Sequence, residues 1–339
     1  MALLGGSREI NAEALTLGAA GIAVGAALVV SYSVARFESR AFPSMGISGV
    51  DIHKPDGPVR AEMGGLAILL ALAAGSVLFL GLNFSMDAPL VLFAAVACAI
   101  ALTGLVGVAD DIRDLSQKYK TWLIVAASAP LIVLLWNRGY ISIPLLGSIH
   151  LGLLYPLVAV PLAMTTSANF TNLLAGFNGL EAGCASISVG TMSLLAEVTG
   201  HPELAALGLI VTAAYLGFLV LNWYPAKIFP GDSGTLMAGA AVAAIGLAAG
   251  LEFEAVVLST PAAMDFALKM MNRNPFKQRH FLGNTKVRAD GTLDPAPYPA
   301  LVHAFMRVSP ITEKGLVESV LAMQALFAFV AFSITMAFL

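Results

Sequence analysis

Charge is what this sequence has least of. Only 12% of its 339 residues are Asp, Glu, Lys or Arg, against 58% apolar types. A soluble domain carries about 25% charged and about 45–50% apolar residues. Half the usual charge cannot solvate a globule of this size, so an ordinary soluble enzyme is excluded. The opposite imbalance, low hydrophobicity with high charge, is what disorder needs. Cysteine is nearly absent too: Cys98 and Cys184 are the only two, which excludes a disulfide scaffold and a Cys-based zinc site. There is no basic excess either. A net charge of −3 and a pI near 5.9 give no purchase for nucleic acid. No internal repeat is evident, which weighs against inverted-repeat transporter folds.

What is present is apolar length, at a mean hydropathy of +0.84. A bilayer core needs about 20 mostly apolar residues per helix. Ten segments qualify: 12–35, 63–82, 88–109, 121–137, 150–168, 181–198, 203–222, 233–250, 253–271 and 315–338. They lack the period-2 alternation of barrel strands. The third is the cleanest, and the ninth is interrupted by Asp265 and Lys269. The expected fold is therefore an all-α polytopic membrane protein of about ten transmembrane helices, a single bundle over residues 1–339 with cytoplasmic catalytic loops. A weak alternation around Pro144 and Gly147 suggests a small hairpin between segments four and five.

The cations orient this chain. Sixteen of the 18 Lys and Arg residues follow odd-numbered segments, and only Arg8 and Arg138 lie on the other side. Lys and Arg concentrate in cytoplasmic loops. Both termini are thus expected outside, with the basic loops and the active site in the cytoplasm. The longest loop, 272–310, is read as a cytoplasmic substrate-binding segment with a small structure of its own.

The unusual polar groups gather on that same side. Asp110 and Asp111 end a charge-free helix, and Asp114 follows. Acids are unfavourable at a helix C-terminus, so a cation should offset them. Mg2+ suits hard oxygen ligands; Arg113, Lys118 and Lys120 are the alternative. Asn169 and Asn172 share a helix face, ahead of Asn178-Gly179 and Glu181. Asp232 precedes an apolar segment, either as a plain cap or as an acid beside a metal. Lys277, Arg279 and His280 crowd one loop, and Arg grips phosphate bidentately. Lys54 and Arg60 sit in a turn-rich stretch and meet a lipid headgroup or merely set topology. Acids with a metal and cations with phosphates is the layout of phosphoryl transfer. A secondary transporter, the rival from another class, would keep ionisable groups at the span centres, which are almost free of them.

Three of these motifs occur in the order, and at spacings similar to those, of a known family. They are Ala109-Asp110-Asp111 with Lys120, the run from Asn172 through Asn178 to Glu181, and Gly231-Asp232-Ser233. Over about residues 53–280 the sequence resembles the polyprenyl-phosphate N-acetylhexosamine-1-phosphate transferases, closest to the dolichyl-phosphate GlcNAc-1-phosphate type. The resemblance implies ten helices, Mg2+ (Mn2+ as its substitute), a UDP-N-acetylhexosamine donor, a polyprenyl or dolichyl phosphate acceptor and a homodimer. It implies Asn172 and Asp232 as the metal ligands and Lys120 and Arg279 on the donor diphosphate. Asp110 and Asp111 would sit at the reaction centre. Asn178 would line the nucleotide site, with Glu181, His280 and Lys54 completing the substrate contacts. The membrane is the plasma membrane in a prokaryote and the ER in a eukaryote. One departure stands out: the His-rich signature of the cell-wall translocase, which uses UDP-MurNAc-pentapeptide, is absent. Gln278-Arg279-His280 stands there instead, followed by Phe281.

Overall fold

The computed structural model describes residues 2–54, 56–84, 88–144, 146–271 and 285–339, with side chains described from Leu17 onward apart from Ala88. Twelve α-helices carry the chain among these residues. They are α1 (Ala2–Ala41), α2 (Gly65–Leu82), α3 (Ala88–Arg113), α4 (Gln117–Ala127), α5 (Ala129–Leu134), α6 (Val160–Leu173), α7 (Leu180–Val198), α8 (Pro202–Asn222), α9 (Gly231–Ala249), α10 (Glu252–Met270), α11 (Leu301–Val308) and α12 (Glu313–Phe338). Each of the ten apolar segments is helical. Six helices are long and apolar enough to cross a membrane alone: α1, α2, α3, α8, α9 and α12. The fourth and fifth segments are broken, and proline explains both. Pro130 cannot donate to the ladder, so α4 stops at Ser128 and α5 restarts beyond it. Pro156 stands in a π-helical turn, Tyr155–Ala159, that leads into α6.

Helix α9 is the axis of the bundle, with 94% of its apolar window buried. It is built from Gly and Ala, which lets neighbouring helices approach closely. A β-carbon at Gly107 of α3 would stand 2.3 Å from the Ser233 Cα, so α3 packs against α9 backbone to backbone at that level. This contact brings the end of α3 onto the start of α9.

Among the described residues there are also three two-stranded antiparallel hairpins: β1 (Ser48–Val50) with β2 (Val59–Ala61), β3 (Tyr140–Ile143) with β4 (Gly147–His150), and β5 (Lys286–Val287) with β6 (Leu293–Asp294). The expected hairpin between segments four and five is β3–β4. Beyond β2 the chain runs beside residues 228–230. The Phe229 amide donates to Ala61 O, and the Gly64 and Gly65 amides donate to Phe229 O and Pro230 O. The described part of 272–310 folds as β5–β6 and α11. It shares an apolar core with Leu174 and Phe177, between α6 and α7, and with Leu180, the first residue of α7.

Candidate active site

Two carboxylates leave the end of α3, and each finds a different counter-charge. Asp111 reaches the first turn of α9. Its Oδ1 accepts the Asp232 amide at 2.7 Å, and its Oδ2 accepts the Ser233 amide at 3.1 Å and the Ser233 hydroxyl at 2.8 Å. A helix N-terminus leaves its first amides unpaired and carries a partial positive charge. Asp111 is thus an N-cap supplied by another helix. Asp110 turns inward, is 4% exposed, accepts the Leu115 amide at 2.6 Å and pairs with Lys120. The cation that two acids at a helix end demand is therefore Lys120 for one and the α9 terminus for the other.

Lys120 also joins the third acid. Its Nζ lies 2.9 Å from Asp232 Oδ2. The other Asp232 oxygen, Oδ1, accepts Asn172 Nδ2 at 2.6 Å. Asp110, Lys120, Asp232 and Asn172 thus form one connected chain from three helices and the α9 terminus. Lys120 is 5% exposed, whereas the Asp232 side chain keeps 32%, so the lysine backs the site and the aspartate faces outward. Asn172 lies one residue before the end of α6, which aims its amide at that aspartate.

The turn between α6 and α7 is held by buried acids. Gly179, at φ 84°, supplies the left-handed backbone that the Asn178-Gly179 step requires. The Gly176 amide donates to Glu181 Oε1 at 2.6 Å. The Asn178 amide donates to Glu313 Oε1 at 2.9 Å, and Asn178 Oδ1 accepts the Ala226 amide at 2.8 Å. Lys54 Nζ donates to Asn178 Oδ1 at 3.2 Å and pairs with Glu313 and Asp51. Its ammonium also lies 4.4 Å from the Tyr224 ring centre. Lys54 is therefore engaged by the scaffold of the turn. Among the described residues, Asp51, His53 and Glu313 are a cluster with metal-ligand atoms within 4.8 Å of one another, and the Lys54 ammonium is already paired with both of its acids.

A cavity of about 430 Å³ opens between these elements. Asp111, Asn172, Asn178, Glu181 and Asp232 line it; Asp110, Lys120 and Lys54 do not. Arg279 and His280 lie outside the described residues. Its walls include two residues that were not singled out from sequence, His53 and Glu62. His53 stacks on Phe177 with ring centres 4.3 Å apart, and burial lowers its pKa from 6.5 to about 4. Burial, and then the Asp111 charge, raise that of Glu62. The segment carrying both was legible as turn-rich and polar. Glu313 was not legible: it sits on the last helix, far along the chain from the turn it fastens, and resembles an ordinary first-turn acid.

Chemically, the cavity combines hard oxygen donors with cationic backing. The Asp232 carboxylate and the Asn172 carboxamide meet at its wall. An amide whose orientation follows its partners can offer its oxygen to a cation instead. This donor set fits Mg2+, and the residues that would hold it are Asn172 and Asp232.

Residues 93–250 match the family model of Glycosyl transferase family 4. The chain is 35% identical over 288 residues to a protein of Saccharolobus solfataricus provisionally named UDP-N-acetylglucosamine–dolichyl-phosphate N-acetylglucosaminephosphotransferase, covering 84% of this chain and 86% of that one. A protein of the same provisional name from Sulfolobus acidocaldarius is 31% identical over 293 residues, covering 84% and 87%. A phospho-N-acetylmuramoyl-pentapeptide-transferase of Halalkalibacterium halodurans is 35% identical over a shorter 212 residues, 58% of this chain and 63% of that one. With an apolar helical bundle, acids gathered around one helix terminus and relatives matched over most of their length, this chain belongs to glycosyl transferase family 4.

Proposed function

We propose that this protein transfers N-acetylglucosamine 1-phosphate from UDP-GlcNAc to a polyprenyl phosphate of the dolichyl type, giving polyprenyl-diphosphate-GlcNAc and UMP. It is the first membrane step of lipid-linked glycan assembly. The observation that carries the reading is the meeting of Asp232, Asn172 and Asp111 on one cavity wall, with Lys120 behind them. The names of the two archaeal relatives, matched over more of the chain than the bacterial pentapeptide transferase, favour the dolichyl acceptor and GlcNAc.

Asn172 and Asp232 hold Mg2+ in this reading. When bound, the metal offsets the diphosphate charge and eases departure of UMP. Lys120 keeps Asp232 ionised and oriented, and Arg279 grips the donor diphosphate. An oxygen of the lipid phosphate attacks the phosphorus that carries the sugar. The new P–O bond forms as the bond to the bridging oxygen breaks, and UMP leaves with that electron pair. A phosphate monoester is mostly ionised at neutral pH, so the attack needs no strong base. The hydrogen bonding of the two α3 carboxylates supports direct attack over a covalent aspartyl intermediate. Asp111 already accepts three donors, and Asp110 is buried under Lys120. Asp111 then orients the α9 terminus, and with it Asp232, toward the incoming phosphate.

Ten membrane crossings, both termini outside and a cytoplasmic cavity complete the reading, supported by the 16-to-2 distribution of Lys and Arg. A homodimer is carried with it from the family resemblance. The test is UMP release by purified protein in detergent with UDP-GlcNAc, a short polyprenyl phosphate and Mg2+. Release that requires the lipid, and that EDTA and Asp232→Asn both abolish, is the expected result. Release from another UDP-amino sugar alone would move the specificity, and lipid-independent or absent release from any UDP-sugar would sink the reading.

A further inference from the structure

The second half of the ninth apolar segment carries two charges, Asp265 and Lys269, that the proposed reaction does not use. In α10 they stand one turn apart and pair at 2.6 Å. Asp265 is fully buried and Lys269 is 4% exposed. An isolated buried ion pair seldom repays its desolvation, so the other bonds of these two groups carry the meaning. Lys269 Nζ donates to the Leu173 carbonyl at 2.6 Å. Leu173 ends α6, so its carbonyl is one of those a helix leaves without an intrahelical partner. The residue before it is Asn172. Asp265 Oδ1 accepts the Leu301 amide at 2.8 Å. Leu301 opens α11, whose N-cap position holds Ala300, a residue with no side-chain acceptor. One ion pair therefore caps the C-terminus of α6 and the N-terminus of α11 together.

We propose that Asp265 and Lys269 are positioning residues for Asn172. They fix the last turn of α6, so that the Asn172 carboxamide stays at Asp232, and they tie that turn to the α11 segment on the cytoplasmic side. The inference rests on the reading of Asn172 as a metal ligand. Lys269 acts through the α6 backbone and touches neither metal nor substrate. Removing it frees the terminal carbonyl and leaves Asp265 without its counter-charge, and the turn bearing Asn172 relaxes away from Asp232.

The test is calorimetric binding of UDP-GlcNAc to the full chain in detergent, with Mg2+ and with EDTA, and it reads the ratio of the two affinities. In Lys269→Met and Asp265→Asn the Mg2+ enhancement falls about tenfold or more, while the affinity in EDTA stays within about twofold of wild type, as for loss of an outer-sphere support. Lys269→Arg retains the enhancement. Asp265→Asn preserves an oxygen acceptor for the Leu301 amide, so it is the milder variant, and melting temperatures are read alongside. In UMP release by the same preparations, the Mg2+ concentration at half-maximal rate rises while KM for the lipid phosphate is unchanged. A folded Lys269→Met or Asp265→Asn with the wild-type Mg2+ enhancement overturns the proposal. So does a wild type whose UDP-GlcNAc affinity is indifferent to Mg2+. A wild type that shows the enhancement but releases no UMP overturns the proposed function alone, and the variants still decide the positioning role.

Discussion

The two ends of α9 obey the same electrostatic rule and put it to different uses. At its N-terminus an acid from another helix, Asp111, caps the free amides. At its C-terminus a base from another segment, Arg138, donates to the Leu247 carbonyl at 2.9 Å. Each charge complements the helix dipole. The C-terminal end is closed over: Arg138 pairs with Glu252 at 3.1 Å, and the Tyr155 hydroxyl donates to the same Glu252 oxygen at 2.6 Å. The N-terminal end opens on the cavity, where Asp232 keeps part of its carboxylate exposed. A helix end closed in this way is a joint; a helix end left open to a cavity can be a site.

Four experiments would break or sharpen that contrast. The largest effect is expected for Asp232→Asn, a loss of UMP release on the order of 1,000-fold, or about 4 kcal/mol of transition-state stabilisation, since even outer-sphere supports of a metal cost about 10–100-fold. The melting temperature should move little, because the site is open; a large fall in melting would make this end a joint as well. Arg138→Met should do the reverse. It strands Glu252 and should cost about 3 kcal/mol of stability, seen as a lower midpoint in thermal unfolding, with kcat unchanged below the transition. Loss of kcat in folded protein would contradict the division between the ends.

The third test is pH. His53 titrates at about 4 in the fold and at 6.5 in its ordinary state. Between those values the unfolded chain binds more protons, so stability rises with pH there. The contribution of His53 is full above about pH 6.5 and is lost as the pH falls toward 4. Melting temperatures across that window should fall less steeply in His53→Gln, and a parallel profile would remove His53 from the account. The smallest effect is expected for Tyr155→Phe, which deletes one hydrogen bond at the closed end. About 1 kcal/mol should be lost, with Mg2+ dependence and kcat as in wild type.

Hydrophobic length alone made the helical segments legible, because a bilayer imposes one requirement on every crossing. Their breaks were not foreseen, although Pro130 and Pro156 supply the cause. At the site, Asp110, Asp111, Asn172 and Asp232 stood out as polar groups where apolar ones are the rule, and all four meet at the α9 terminus. Their individual duties needed the packing. Nothing local distinguishes Asp111, which caps α9, from Asp110, which pairs with Lys120; the difference arises because Gly107 lets α3 touch α9. Lys54 read as a headgroup contact or a topology signal, and its burial against Glu313 and Asp51 depends on the last helix lying beside the turn. His53 meets Phe177 only once the turn between α6 and α7 and the β1–β2 loop are folded together.

The bond from Asn178 to Glu313 has a consequence for biosynthesis. The turn at the mouth of the cavity comes from the middle of the chain, yet its amide is held by the first residue of the final helix. During translation the early helices enter the membrane, and Asp110, Lys120, Asn172 and Asp232 are made, while that fastening does not yet exist. A nascent chain arrested before α12 therefore carries the acids of the centre without the finished turn, which is fastened only once α12 has been made.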